Sequence, residues 1–268
     1  MLVVQTKKDA ERFCFLGANP QRVKVVGNLK FDVPNLVVPE KLAEQLRIAK
    51  DQLIWVAGST RKGEEEIVIE AWQEVRKTNP NLLLILAPRH LERLREVEKI
   101  LVNYKVSFTR RSCIGEELLN FPVILLDTMG ELASLYALAK VALVGGSLVP
   151  LGGHNPLEPA AQGVPVLVGP YTQNFSQIVS LLLDKGVARV VKNSAELAAA
   201  VQAILLSSEK ESILSEQARQ AVLSYQGAAE KTMDLVHKLL LIKSWAKEVK
   251  NWRAEALKES ASMFSRKM

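Results

Sequence analysis

Short apolar runs alternate with amphipathic helical patterns through the middle of the chain. The run at Leu53–Gly58 is followed by a segment in which Val68, Ala71, Trp72 and Val75 recur at helical spacing. The other runs are also apolar almost throughout rather than alternating between apolar and polar residues, which is typical of strands buried on both faces of a parallel sheet. They lie at residues 82–87, 106–109, 123–127, 141–146, 164–170 and 186–191.

This alternation predicts a doubly wound, Rossmann-like α/β fold, in which helices cover both faces of a parallel sheet. We expect that domain to span residues 39–239. Residues 1–38 predict a strand, a helix and a strand that lead into a linker, and we interpret them as the end of another domain that lies mostly outside this chain. Residues 240–268 are expected to form a basic amphipathic helical tail.

Charge and cysteine content narrow the class of protein only slightly. The 268-residue chain has a formal net charge of only +6, and most of it lies in the tail, which carries seven basic and three acidic residues. So small and local an excess of positive charge does not predict a nucleic-acid partner. Cys14 and Cys113 are far apart and in no CxxC pair, which fits a reducing compartment without structural disulfides. No apolar run approaches the roughly 20 residues of a membrane span, and the first residues lack the form of a signal peptide.

Polar or glycine-rich loops follow four of the predicted strands. In an open α/β sheet, ligands bind outside the carboxyl ends of the strands, so these four loops are expected to lie together at one edge. The four loops together indicate a ligand-binding site more specifically than any one of them does alone. The loops are Gly58–Thr60, Pro88–His90, Asp127–Glu131 and Gly145–Glu158.

The first two loops and His154 offer groups that suit an anion. Ser59 and Thr60 either present backbone N–H groups and a hydroxyl to an anion or cap the following helix, and the cap is favoured. Arg89 carries a planar fork of donors that matches a phosphate or a carboxylate. His154 either donates to a phosphate or braces its own loop, and the sequence leaves both roles open.

The segment Asn155-Pro156-Leu157-Glu158 has the composition of a helix N-terminus, with Asn at the cap and Pro at the first helical position. Glu158 is either a capping-box residue or a carboxylate that accepts from the two hydroxyls of a ribose. The glycines of the loop favour the ribose, because they let the backbone approach a ligand closely and a cap needs none of them. The loop is therefore interpreted as a nucleotide cradle, in which the helix dipole favours a phosphate. The glycines are Gly145, Gly146, Gly152 and Gly153.

Several motifs in order resemble the 3-deoxy-D-manno-octulosonic acid (Kdo) transferases, glycosyltransferases that act on the lipid A precursor. They are GNLKFD, GSTRKGEEE, APRH, DTMGEL and GGSLVPLGGHNPLEPAAQGVPVLVGP, and the resemblance covers residues 2–239. It implies a GT-B enzyme of two Rossmann-like halves, of which this chain is the C-terminal, donor-binding half. The implied reaction is a metal-independent, inverting transfer of Kdo from CMP-Kdo to lipid IVA in lipopolysaccharide synthesis, without a cofactor.

The resemblance also implies which residues contact the nucleotide. They are Pro88, Arg89, Met129, Gly130, Glu131, Asn155, Pro156, Leu157 and Glu158. We add six candidate phosphate or sugar contacts: Ser59, Thr60, Gly146, Ser147, Gly153 and His154. No metal ligand is expected, and no catalytic residue is expected in this chain, because the glutamate base of the family belongs to the N-terminal half.

The chain begins where the N-terminal half of that family is almost complete. The acceptor groove and the membrane anchor are therefore expected outside it, and the chain alone is expected to bind nucleotide but transfer nothing. The resemblance places the full-length enzyme at the cytoplasmic face of the bacterial inner membrane, where it meets the membrane surface and its lipid acceptor. Two alternatives stay open: another GT-B enzyme that acts on UDP-sugars, as a transferase or an epimerase, and a non-catalytic nucleotide-binding module.

The tail carries an apolar stripe at alternating three- and four-residue spacing with basic residues on its other faces. We expect the stripe to pack against the other half of a GT-B protein or against a partner, in preference to lying on an anionic membrane surface. The stripe consists of Ile242, Trp245, Val249, Trp252 and Ala256.

Overall fold

The computed structural model describes residues 1–32, 40–49, 51–115, 121–206 and 208–241. The chain divides into two compact units, one containing residues 1–32 and the chain from Tyr225 onward, and the other containing Val33–Ser224. The nucleotide-binding domain expected from the sequence extended to residue 239, whereas the second unit ends at Ser224. The apolar stripe of the tail lies outside the described residues.

The strands and helices follow the order that the apolar pattern predicts. The strands are β1 Leu2–Val4, β2 Val23–Val25, β3 Leu53–Thr60, β4 Leu82–Pro88, β5 Thr109–Arg110, β6 Val123–Leu125, β7 Val141–Val144, β8 Val166–Val168 and β9 Ala188–Val190. The α-helices are α1 Lys7–Phe15, α2 Glu40–Gln45, α3 Glu65–Arg76, α4 Leu94–Asn103, α5 Leu132–Tyr136, α6 Leu157–Ala161, α7 Ser176–Asp184, α8 Ser194–Leu206 and α9 Ser208–Leu223. Residues 228–241 are also helical.

The second unit contains a sheet of seven parallel strands in the order β5-β6-β4-β3-β7-β8-β9. This arrangement confirms the predicted doubly wound parallel sheet, and a strand lies at or beside each of the seven predicted apolar runs. The run at residues 106–109 contributes only its last residue to β5. The strand order reverses between β3 and β7, so the switch point of the fold lies there.

Two apolar cores on opposite faces of the sheet explain why its strands are apolar throughout. Trp55 and Ala57 point into the core that contains α3, α4 and α8, whereas Ile54 and Val56 point into the core that contains α2 and α5. Successive side chains of a strand face opposite sides of its sheet. A strand covered by helices on both sides therefore needs an apolar residue at every position.

The first unit contains β1, α1 and β2, with the two strands parallel, as the sequence predicts for its first residues. Asp32 accepts hydrogen bonds from the backbone N–H groups of Gly227 and Ala229, each at 2.6 Å, and so caps the helix at residues 228–241. Cys14 and Cys113 are free thiols. None of the helices that the structure describes has both the length and the apolar character needed to cross a bilayer.

Candidate functional site

The loops that follow β3, β4 and β7 meet at the switch point of the sheet. The backbone N–H of Arg89 donates to the Thr60 carbonyl at 3.0 Å, and that of Gly145 donates to the Gly58 carbonyl at 2.8 Å. These bonds join the ends of three neighbouring strands. The predicted gathering of loops after β3, β4 and β7 at the carboxyl edge of the sheet is therefore confirmed.

The glycine-rich loop after β7 folds around the carboxylate of Glu64, whose side chain is fully buried. Glu64 Oε2 accepts from the backbone N–H of Arg61 at 2.8 Å and of Gly146 at 2.6 Å. Glu64 Oε1 accepts from the backbone N–H of Ser147 at 3.0 Å and of Leu148 at 2.8 Å. Burial raises the pKa of the Glu64 carboxyl, and the four backbone hydrogen bonds oppose that shift.

The Glu64 carboxylate occupies the anion-binding cradle that the sequence assigned to a ligand. The backbone N–H groups of Gly146 and Ser147 are used by Glu64, and the Ser147 hydroxyl donates to the Val144 carbonyl at 2.5 Å. The backbone N–H of Gly153 donates to the Gly146 carbonyl at 2.7 Å. The backbone donors of Gly146, Ser147 and Gly153 therefore hold the loop together. That these three residues contact a phosphate or a sugar stays a prediction.

Close packing, and not ligand approach, explains the glycines nearest to β7. A Cβ atom on Gly145 would lie 2.5 Å from the Ser59 carbonyl oxygen and 2.7 Å from the Thr60 Cα atom. Gly146 has a φ of +68°, and a Cβ atom there would lie 2.9 Å from the His154 ring. The inference from these glycines to a ligand is therefore not supported, because the loop needs them to fold upon itself.

Thr60 belongs to β3 and is fully buried, so neither role predicted for its hydroxyl is present. Its hydroxyl donates to Glu65 Oε1 at 3.0 Å. Arg93 also binds this carboxylate through both terminal nitrogens, at 2.9 and 3.1 Å. The helix expected to be capped by Ser59 or Thr60 begins only at Glu65, so the cap prediction is wrong. Ser59, with a φ of +56°, lies at the bulge of β3 beside the site.

Arg61, which is not among the predicted site residues, contacts two histidine rings at this edge. Its Nε donates to His154 Nε2 at 3.3 Å, and its Nη1 contacts His90 Nε2. Burial, followed by the positive charges of Arg61 and Arg89 and by the neighbouring His90 ring, lowers the pKa of His154 to about 4. His154 is therefore neutral at neutral pH and accepts a hydrogen bond from Arg61, which belongs to another loop. That His154 donates to a phosphate stays a prediction.

Arg89 extends from the end of β4 into solvent, next to the buried Pro88. Within the described ranges, no side chain forms a hydrogen bond or an ion pair with its guanidinium. Its charge acts on His154 and on Glu158, which places it beside the loop after β7. Arg89 is thus an uncommitted cation at the switch point of the sheet.

The segment from Asn155 to Glu158 begins a helix of only five residues, α6. Asn155 Oδ1 accepts from the backbone N–H of Leu157 at 3.2 Å and so supports the turn that leads into α6. The helix itself begins at Leu157 with Pro156 at its cap position, one residue later than predicted. Pro156 and Leu157 are buried, which leaves mainly the polar groups of Asn155 and Glu158 for a ligand. A single turn has a small dipole, and the predicted help of that dipole in holding a phosphate is correspondingly weak.

Glu158 is partly buried, and its carboxylate does not form the capping box. Burial raises the pKa of Glu158, and the hydrogen bond from the Asn155 side chain and the charge of Arg89 oppose the shift. In the part of the chain that the structure describes, its oxygens accept no hydrogen bond from the Asn155 backbone, which the capping box requires. The other reading, in which Glu158 accepts from ribose hydroxyls, stays a prediction.

The loop after β6 brings Met129, Gly130 and Glu131 to the same edge of the sheet. The Met129 side chain is 72% exposed, and Gly130 has a φ of +86°. The Glu131 carboxylate accepts from Arg111 Nη2 at 2.9 Å and from the Thr128 hydroxyl. Its carboxylate therefore braces the loop, while the Met129 side chain and the backbone of Gly130 face solvent.

The sequence contained no local signal for the roles of Arg61 and Glu64. A run of three glutamates at the start of a predicted helix is expected from the helix dipole alone, so Glu64 resembled its neighbours. Its four donors include three from residues 82 to 84 positions away. Arg61 stood in a motif that supported the resemblance, but nothing in its spacing placed it between two histidines.

Comparison with known proteins adds family and fold relationships to this geometry. Residues 38–221 match the family model described as glycosyl transferases group 1. Residues 1–33 match the model described as 3-deoxy-D-manno-octulosonic-acid transferase (kdotransferase).

Two curated relatives are similar to most of the chain. A 3-deoxy-D-manno-octulosonic acid transferase of Haemophilus influenzae is 36% identical over 239 residues, which are 88% of this chain and 56% of the relative. One of Aquifex aeolicus is 38% identical over 222 residues, which are 82% of this chain and 58% of the relative. The chain thus spans little more than half the length of these relatives.

A solved structure is similar to about two thirds of the chain. The C-terminal CMP-Kdo binding domain of WaaA from Acinetobacter baumannii is 34% identical, with a TM-score of 0.63. The match covers 68% of this chain and 94% of that domain. The similarity therefore extends over almost the whole of the solved domain.

Proposed function

We propose, from the premise that the chain belongs to the Kdo transferase family of group 1 glycosyltransferases, that the edge around Arg89 and Glu158 binds the CMP moiety of CMP-Kdo. One observation carries the proposal: an uncommitted guanidinium lies beside a partly buried carboxylate at the switch point of the sheet. A guanidinium suits the phosphate of a nucleotide, and a carboxylate suits the two hydroxyls of its ribose.

The cytosine is proposed to lie against the loop after β6. The exposed Met129 side chain offers an apolar contact for the face of the base. The Glu131 carboxylate is already held by Arg111 and Thr128, so it is proposed to fix the loop and not to contact the base. The backbone groups of Gly130 and Glu131 are then the ones that can pair with the edge of the cytosine. A loop held in one conformation would select cytosine by its shape and by its hydrogen-bond pattern.

The whole protein is proposed to transfer Kdo to the lipid A precursor with inversion at the anomeric carbon. In that reaction an acceptor hydroxyl attacks the anomeric carbon, CMP leaves with the bonding electron pair, and a base outside this chain takes the hydroxyl proton. Arg89 would stabilise the negative charge that develops on the departing phosphate, the task that a metal ion performs in other transferases. This chain alone is proposed to bind the donor without transferring its sugar, and in the whole protein to work at the cytoplasmic face of the inner membrane.

Calorimetric titration with CMP, UMP and UDP in the presence of EDTA tests the proposed function. We expect CMP to bind and UMP to bind at least about tenfold more weakly, which corresponds to about 1.4 kcal/mol for the hydrogen bonds that distinguish the two bases. Tighter binding of UDP than of CMP would instead favour an enzyme that acts on UDP-sugars. Absence of binding by any of the three would contradict the proposal.

Replacement of Glu158 by glutamine is expected to weaken CMP binding about tenfold, or by about 1.4 kcal/mol, because one of two acceptor oxygens becomes a donor. Stability at neutral pH should be equal or higher. The folded-state pKa of Glu158 is raised, so its contribution to stability is present below the unfolded pKa and is lost as the pH rises through the folded pKa. Glutamine is uncharged at every pH, so it avoids the cost of burying an ionised carboxylate in the folded state.

Calorimetry and thermal unfolding at neutral pH measure both effects of Glu158→Gln. The matched control is Glu92→Gln, which removes a carboxylate that is 77% exposed near the same edge and should change neither quantity. Lower stability with unchanged CMP affinity would show that Glu158 supports the turn and does not bind the ribose.

A further inference from the structure

Arg61 is a second guanidinium at this edge, and it is held between two histidine rings. Its Nε donates to Nε2 of His154, which is neutral at neutral pH, and its Nη1 contacts His90 Nε2. No carboxylate of the described residues forms a salt bridge with it. The two histidines therefore fix the orientation of the guanidinium without neutralising its charge.

Three carboxylates near the Arg61 and Arg89 side chains have other contacts among the described residues. Glu64 Oε1 and Oε2 each accept two backbone N–H groups, one of which belongs to Arg61 itself. Glu92 lies 3.4 Å from the other ring nitrogen of His90 and is mostly exposed. Glu158 interacts with Asn155 and with the charge of Arg89. Arg61 and Arg89 thus bring two positive charges to one edge, where a ligand with two anionic groups would balance them.

The chemistry of the proposed donor supplies two such groups on one carbon. In a CMP-ulosonic acid, the anomeric carbon carries both the phosphate oxygen and the carboxylate of the sugar. A nucleotide derivative of an ordinary aldose has no carboxylate at that carbon. The planar fork of an arginine matches a carboxylate in geometry and charge.

We infer that Arg61 binds the carboxylate of the donor sugar while Arg89 binds its phosphate. This inference rests on the proposed function, because it assigns the part of the donor that CMP itself lacks. It makes Arg61 the residue that distinguishes an ulosonic acid from a neutral sugar. His90 and His154 act as positioning residues, since they hold the guanidinium in place.

The test compares CMP with CMP-Kdo on the wild-type chain, Arg61→Gln and Arg61→Lys, with donor integrity followed by phosphorus NMR. In Arg61→Gln the affinity for CMP-Kdo is expected to fall about tenfold or more, whereas the affinity for CMP changes less than about twofold. Arg61→Lys keeps the charge but loses the fork, so its loss should be intermediate. Lys62→Gln is the matched control, because it removes an exposed charge from the adjacent position and should bind both ligands normally.

The pattern of losses separates this inference from the proposed function. If the wild-type chain fails to bind CMP, the proposed function falls and the inference falls with it. If CMP binds normally but Arg61→Gln weakens CMP and CMP-Kdo equally, or weakens neither, only the carboxylate assignment is overturned. Thermal unfolding of each variant shows whether it is folded, and if Arg61→Gln is unfolded the same comparison is made with Arg61→Lys.

Discussion

Replacement of Glu64 by glutamine is expected to lower the free energy of unfolding of the second unit by about 2–5 kcal/mol. The Glu64 carboxylate accepts four backbone N–H groups in a fully buried position. Glutamine keeps one acceptor oxygen but turns its amide N–H₂ toward two of these donors. A protonated glutamate would have the same defect, because its O–H would also face an N–H. The site therefore requires an ionised carboxylate.

Chemical denaturation of Glu64→Gln, followed by circular dichroism, measures this loss. The matched control is Glu74→Gln on α3, the helix that follows Glu64, where the carboxylate is 61% exposed and pairs with Lys77. An exposed pair of this kind contributes about 0.2–1 kcal/mol, so the control should remain near wild type. A loss in Glu64→Gln no larger than that of the control would show that the glycine-rich loop keeps its shape without the carboxylate.

Replacement of Arg89 by alanine is expected to weaken CMP binding by about 1.5–3 kcal/mol, or roughly 10- to 150-fold, with stability unchanged. The range is that of hydrogen bonds to a charged group. Stability should hold because no described side chain is bonded to the Arg89 guanidinium, which is exposed, and its backbone bond to Thr60 survives the change. Lysine at this position should restore part of the affinity, since it keeps the charge but lacks the fork.

Calorimetry of CMP binding at two ionic strengths tests the role of Arg89. The control is Arg95→Ala, which removes an exposed arginine from α4 and should leave the affinity unchanged. The wild-type affinity should decrease with salt more steeply than that of Arg89→Ala, because the variant has lost one charged contact. Equal affinity of wild type and variant would remove Arg89 from the phosphate site.

Much of the fold could be predicted because its signals are local. The apolar runs of β3, β4, β7 and β8 identified buried strands, and the two cores on either face of the sheet explain why each run is apolar at every position. The helix bounds were less predictable. The sequence predicted a helix capped by Ser59 or Thr60. In the structure β3 continues to Thr60 and a short loop follows, so α3 begins only at Glu65.

The edge of the sheet that carries the candidate site was predictable for the same reason. Parallel strands end on the same side, so the residues that follow them lie at one edge, where Arg89 and Gly145 each bond to the end of β3. The roles of individual groups at that edge were not predictable. Gly146 and Ser147 looked like free donors, and the nearest residue that uses them is Glu64, more than 80 positions away.

The sequence by itself therefore determined the class of fold, the order of its strands along the chain, the edge that carries the site and the family. Each depends on periodicity, on strand polarity or on motifs that are contiguous in the chain. Tertiary structure alone decided that Glu64 fills the glycine-rich cradle and that Arg61 stands between His90 and His154. The physical reason is that a buried donor or acceptor must find a partner in space, and its partner can come from any part of the chain.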